Sequence, residues 1–246
     1  MTEWFANLSH HFYRNFIYDN RWEWLLDGLW VTVRVSIAGI ILGIILGCIV
    51  AAMRLSKVNI FGKYFGLGGI DKVINKILRI ISYLYLDIVR GTPSVTQIFI
   101  WYFVFFAPTN VPRIIVAIIA IGFNSGAYVA EIMRAGVLSI DKGQTEAGRS
   151  LGLTSFSTMG FIVMPQAVKN VLPALVNEFI VLIKETAIIS FIAVQDLNRA
   201  AVVIRGRTFH AWMPIIAAAV IYYIIIKILT IFLRRLEKKI RQSDAR

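Results

Sequence analysis

Leu29 to Met53 is an almost unbroken apolar run whose only charge is Arg34. At a rise of about 1.5 Å per residue, a run of that length spans the roughly 30 Å hydrocarbon layer of a bilayer, so it is read as a transmembrane helix. Gly39, Gly43 and Gly47 recur every fourth residue on one of its faces. The missing Cβ atoms there let another helix approach closely.

Four more apolar stretches follow. Thr92 to Ala107 is short for a full crossing unless its helix begins earlier, within Ile80 to Arg90, which would bring Asp87 and Arg90 near one headgroup region as a local pair. Ile114 to Met133 is interrupted in composition by Asn124, Ser125 and Gly126. The fourth, from about Leu172 to Val194, carries Glu178, Lys184 and Glu185, and the fifth runs from Trp212 to Leu233, with Lys227 placed to snorkel. Pro108 and Pro112 mark a tight turn, Ala107 to Arg113, between the second and third. The expected fold is an all-α integral membrane protein with about five transmembrane helices.

Composition agrees. With 58% hydrophobic residues, 16% charged ones and a mean hydropathy of +0.70, the chain is too apolar for a soluble domain. The formal charge of +12 raises the question of nucleic acid, and the placement of the basic residues answers it. Sixteen Lys and Arg lie in Arg54–Arg79, Arg134–Lys169 and Arg234–Arg246, against six in the connections on the other side. By the positive-inside rule the first group is cytoplasmic, the N-terminus is outside and the C-terminus inside, and no nucleic-acid partner is needed.

The lone cysteine, Cys48, offers neither a disulfide framework nor a Cys-based zinc site, and His10, His11 and His210 show no HExxH-type spacing, so no metal is expected. The N-terminus does not read as a cleavable signal, since Glu3 precedes the first basic residue and Arg14 to Arg21 interrupts any early apolar core. Trp4, Leu8, Phe12 and Phe16 share a stripe at i+4 spacing. Residues 1–24 read either as an external amphipathic helix lying in the interface or as a packed helix with no separate role. Residues 25–234 form the transmembrane domain and residues 235–246 a basic cytoplasmic tail.

The connection between the third and fourth spans is nearly forty residues long, and connections of that length usually have a task. It contains Gly143, Gln144, Thr145, Glu146, Ala147, Gly148, Arg149, Ser150, Leu151 and Gly152, then nine residues to Ile162, and Met164 with Pro165. This spacing resembles the EAA loop of permease subunits of binding-protein-dependent ABC importers. Glu146, Ala147, Gly152, Ile162 and Pro165 match that pattern, while Gly148 replaces its second Ala and Met164 its Leu. Gly148 should weaken a helix by roughly 1 kcal/mol relative to Ala. Arg90, Gly91, Thr92, Pro93, Gln97 and Tyr102, then Tyr128, Glu131 and Arg134, then Pro173, Asn177, Glu178, Lys184 and Thr186 resemble the polar amino-acid branch of the same family.

The resemblance implies the type I importer permease fold, a bacterial inner-membrane location, and a short coupling helix within residues 140–166 that docks into a separate ABC ATPase. Gln144, Glu146, Ala147, Gly148 and Gly152 are its candidate coupling residues. No GxxxxGK[ST] occurs in the chain, so ATP and Mg would be bound by that partner and this chain needs no cofactor of its own. A second permease chain, identical or related, and an external substrate-binding protein complete the implied set of partners, with membrane lipid around them.

Ionisable groups at bilayer depth are costly and face protein, water or substrate. Asn124 lies near the centre of its span. Glu178 and Glu185 are seven residues apart on one helix face, and Asn177 and Lys184 repeat that spacing alongside. With Gln97, the residues Asn124, Asn177, Glu178 and Glu185 form a candidate substrate pathway for a zwitterion. The alternative is internal pairing, favoured for Lys184. Glu131 and Arg134, at i and i+3, read as a local ion pair. The excess of Glu131, Glu178 and Glu185 over Lys184 tilts toward a cationic amino acid, and the resemblance implies a cationic or glutamine-type one. The competing functions are an ATP-independent channel and a membrane-embedded enzyme, though no nucleophile and base or metal cluster supports the latter.

Overall fold

A computed structural model describes residues 9–55 and 68–244. Among the described residues every regular element is helical. The labels used below are α1 Arg21–Leu55, α2 Gly68–Gly91, α3 Ser94–Phe99, α4 Arg113–Leu138, α5 Lys142–Ser150, α6 Ser155–Thr158, α7 Met164–Glu185, α8 Leu197–Thr208 and α9 Met213–Asp244. Short π-helical turns extend α3 through Phe105 and join α6 to α7.

Among the described residues three helical runs, Ser9–Leu55, Arg113–Leu138 and Met213–Ile240, are long and apolar enough to cross a membrane. They contain the first and third predicted spans and the fifth from Met213 onward. The polar interruption at Asn124 to Gly126 does not break α4, because Ser125 is wholly buried and Asn124 nearly so among helix neighbours. The second predicted span differs from expectation. Two helices occupy it, separated at Thr92 and Pro93, where the proline pushes the residue before it out of helical conformation. The stretch Arg54 to Arg79, read from its charge as a connection, is helical from Gly68 onward. Basic residues on one side of an amphipathic helix resemble a loop when counted rather than mapped around the helix axis. The fourth predicted span is shifted: α7 ends at Glu185, and a 3-10 turn carries the chain through Thr186–Ile192.

The chain gathers into two compact units. The first comprises residues 1–39, 95–121 and 179–232, and the second residues 40–94, 122–178 and 233–246. In the first, Phe16, Leu25, Leu197, Ile204 and Met213 form a buried cluster. Of the N-terminal stripe, Trp4 and Leu8 lie outside the described residues, Phe12 is exposed and Phe16 is packed into this cluster. Asn15 is buried too, donating to the His11 carbonyl at 2.7 Å and accepting from Thr208 Oγ1 at 2.8 Å.

Asp196 caps α8 in this unit, accepting from the Arg199 and Asn198 amides at 2.9 and 3.3 Å, and it is fully buried. The approach is tight: a Cβ on Gly28 would lie 2.6 Å from the Asp196 carbonyl oxygen. Burial pushes the Asp196 carboxyl up to about 6, against the opposing pull of its amide donors. Because the folded pKa lies above the unfolded one, this carboxyl is least costly below the unfolded value, and its penalty grows as pH rises through about 6. Asp196→Asn keeps a good cap and removes the charge. The variant should be at least as stable as the parent at pH 7.5 and should lose the parent's fall in stability between pH 4 and 6.5, as read by thermal unfolding across that range.

In the second unit the glycine face of α1 meets α4. A Cβ on Gly47 would lie 2.5 Å from Val129 Cγ1 and 2.9 Å from the Ala130 amide, and one on Gly43 would lie 3.0 Å from Ser125 Oγ. The fit is reciprocal, since a Cβ on Gly122 would lie 2.7 Å from Leu42 and one on Gly126 would lie 3.0 Å from Leu46 Cβ. Tyr85 of α2 closes the cluster by donating to the Phe123 carbonyl at 2.6 Å.

Candidate functional site

The segment after α4 folds into a small, well-terminated knob. Asp141 caps α5 through a 2.6 Å bond from the Gly143 amide. At the other end Gly152 takes φ +83°, the left-handed conformation that glycine adopts without a Cβ penalty. The Leu153 amide reaches back to the Gly148 carbonyl at 3.1 Å and the Gly152 amide to Arg149 at 3.0 Å, which together make a Schellman stop. Thr154 then caps α6 by accepting from the Ser157 amide at 3.1 Å.

Gly148 is the buried residue of α5. A Cβ there would lie 2.8 Å from both Ile162 Cδ1 and Thr158 Cγ2. Its departure from the EAA pattern therefore has a packing cause as well as a helix-propensity cost, because it lets α5 sit against the start of the next helical run. Gln144 is tied to that run by Gln166, whose side-chain amide donates to it at 3.3 Å. Glu146 and Ala147 face outward. In the residues that follow, Leu151, Phe156 and Phe161 are 81%, 89% and 80% exposed, apolar side chains that the described residues leave uncovered.

The polar pathway candidates divide between the two units. In the second, Ser125 Oγ donates to Glu178 Oε1 at 2.9 Å, bringing the centre of α4 and the middle of α7 together beside Asn124. Asn177 is exposed. Gln97 and Glu185 belong to the first unit, Gln97 buried and Glu185 half-buried. Lys184 is exposed, and among the described residues it forms no ion pair of the kind expected for it. Replacing Ser125 with Ala removes one donor from a carboxylate within a packed helix pair. A loss of about 1 kcal/mol is expected, visible as a lower melting temperature in detergent.

Glu131 pairs with Arg134 as the i, i+3 spacing predicts, and Arg54 at the end of α1 joins them at 3.1 Å. The pairing expected between Asp87 and Arg90 does not form. Arg90 instead lies over the Tyr128 ring, 5.8 Å from its centroid, drawn by the π face across the helix contact. Sequence reasoning missed Arg54 because its partner is 77 residues away. It also missed Asp196, although Asp before an α8 that begins Leu-Asn-Arg is a capping signal. The His210 ring lies tilted by 42° against that of His11, with centroids 4.3 Å apart, and burial followed by the charges of His11 and Arg14 holds it below its ordinary range. Among the described residues no group of three or more His, Cys, Asp or Glu is arranged to hold a metal ion.

Comparisons with known proteins agree with this architecture. The arginine transport system permease protein ArtQ of Bacillus subtilis is 35% identical over 228 residues, covering 89% of this chain and 94% of its own. The glutamine transport system permease protein GlnP of Escherichia coli K12 is 38% identical over 164 residues, 65% of this chain and 75% of its own. A solved structure described as an amino acid ABC transporter with histidines superposes with a TM-score of 0.78 at 33% identity, covering 88% of this chain and 94% of that one. The profile of the binding-protein-dependent transport system inner membrane component family matches residues 39–242, and the chain belongs to that family.

Proposed function

We propose that this chain is the pore-forming subunit of an ATP-driven importer of polar amino acids, with a cationic or glutamine-type substrate. The observation that carries the reading is the knob from Asp141 to Gly152, capped at both ends and fringed by exposed Leu151, Phe156 and Phe161. A rigid, apolar-edged projection suits a cleft in a partner ATPase that supplies the energy this chain has no phosphate-binding loop to capture. In this reading the knob faces the cytoplasm with the C-terminus, the N-terminus lies outside, and about five crossings span the bilayer. A second permease chain forms the other half of the pore, and an external binding protein delivers substrate.

Glu178, fixed by Ser125, is the group best placed to meet a substrate ammonium, with Asn124 and Asn177 next to them in sequence. The names of relatives that carry glutamine and arginine fit a substrate of this class. The decisive measurement is ATP hydrolysis by the chain reconstituted with its ATPase and binding protein. Glutamine or arginine should stimulate hydrolysis, and uptake should require nucleotide. Flux that persists without ATP would instead indicate a channel.

A further inference from the structure

Helix α2 has three faces. Asp71, Ser82, Leu86 and Val89 are buried along one side. At about 100° per residue, Lys72, Lys76, Arg79 and Tyr83 fall within a second stripe roughly 60° wide, all of them exposed. On the third side Ile70, Val73, Ile77, Ile80 and Leu84 are each between 43% and 57% exposed, a row of aliphatic groups that the described residues leave uncovered. An open groove of about 570 Å³ runs along the cations, with Asn75 and Tyr83 at its edges.

A soluble acidic partner could answer the basic stripe but would leave the aliphatic row facing water. A bilayer surface covers both at once. Acyl chains take up the aliphatic groups, the lysine and arginine stems reach outward to the phosphates, and the Tyr83 phenol sits at the boundary. The helix is also not among those apolar enough to cross the membrane. We propose that the Lys72, Lys76 and Arg79 face of α2 is a binding surface for anionic phospholipid headgroups, which hold the first half of this helix at the bilayer surface.

The test uses the purified full-length chain incubated with equal amounts of dioleoylphosphatidylglycerol and dioleoylphosphatidylcholine, with bound lipid counted by native mass spectrometry. The wild-type chain should retain the anionic lipid preferentially, with each cation near the surface contributing roughly fivefold. K72Q/K76Q/R79Q should bring the preference close to one, while K72R/K76R should keep it. R235Q/K238Q/K239Q removes the same charge from α9 and should leave the preference unchanged. Equal uptake of the two lipids by the wild-type chain would overturn the proposal, as would a preserved preference in the α2 triple variant or an equal loss in the α9 one. A triple variant with undiminished lipid preference but weakened ATPase association would reassign the face to a protein.

Discussion

Gly47→Leu should leave almost no folded chain to extract from the membrane. A Cβ at position 47 would already sit 2.5 Å from Val129 Cγ1 and 2.9 Å from the Ala130 amide nitrogen, so a leucine meets both a β-branched side chain and a helix backbone. Neither yields without separating α1 from α4. Overpacking of this kind costs at least about 3 kcal/mol where backbone must move, a large fraction of what holds a domain together. The facing helix cannot relax alone, because Gly122 and Gly126 place its own backbone against Leu42 and Leu46. Size-exclusion profiles and melting curves of the detergent-solubilised protein read the outcome. Val129→Ala in combination with Gly47→Ala should recover only part of the loss, since it removes Cγ1 while the Val129 Cβ at 2.7 Å and the Ala130 amide at 2.9 Å remain in the way of the smaller Cβ. A monodisperse Gly47→Leu protein melting within a few degrees of the parent would contradict the contact.

Deleting Glu146 to Gly152 should leave insertion intact while abolishing co-purification of the ATPase, a loss of at least about 100-fold if the knob is the centre of the interface. The deletion takes the second half of α5 and its stop, yet the crossings before and after do not depend on it for their apolar contacts. A milder variant separates shape from chemistry. Gly152→Ala puts a Cβ on a residue at φ +83°, which costs about 1 to 2 kcal/mol and should tilt or fray α5 while every other side chain remains. Graded loss of ATPase retention across the two variants, with unchanged yield, is the expected result. Full retention by the deletion would remove the coupling assignment.

The parts of this molecule that could be read from sequence are those set by local chemistry. The apolar runs mark the helices because lipid leaves the backbone no other partner, and Gly39, Gly43 and Gly47 announce a close helix contact before its partner is known. The i, i+3 spacing of Glu131 and Arg134 was enough to pair them. What was not legible depends on distance along the chain. Arg54 joins Glu131 across 77 residues, and Ser125 reaches Glu178 across 53. Asp87 and Arg90 looked like a pair by the same local rule, but Tyr128, on another helix, captures the arginine. The packing reason for Gly148 was equally hidden, since Thr158 and Ile162 lie beyond the stop at Gly152.

That stop has a genetic consequence. Every amino acid reachable from a glycine codon by one base change carries a Cβ, so no missense neighbour of Gly152 can adopt its backbone freely. Glu146, exposed in mid-helix, has several neighbours that preserve the helix. Under random mutation the terminus of the knob, rather than its charged face, is the more fragile inheritance, and selection for transport should tolerate drift at the face far more readily than at this one φ angle.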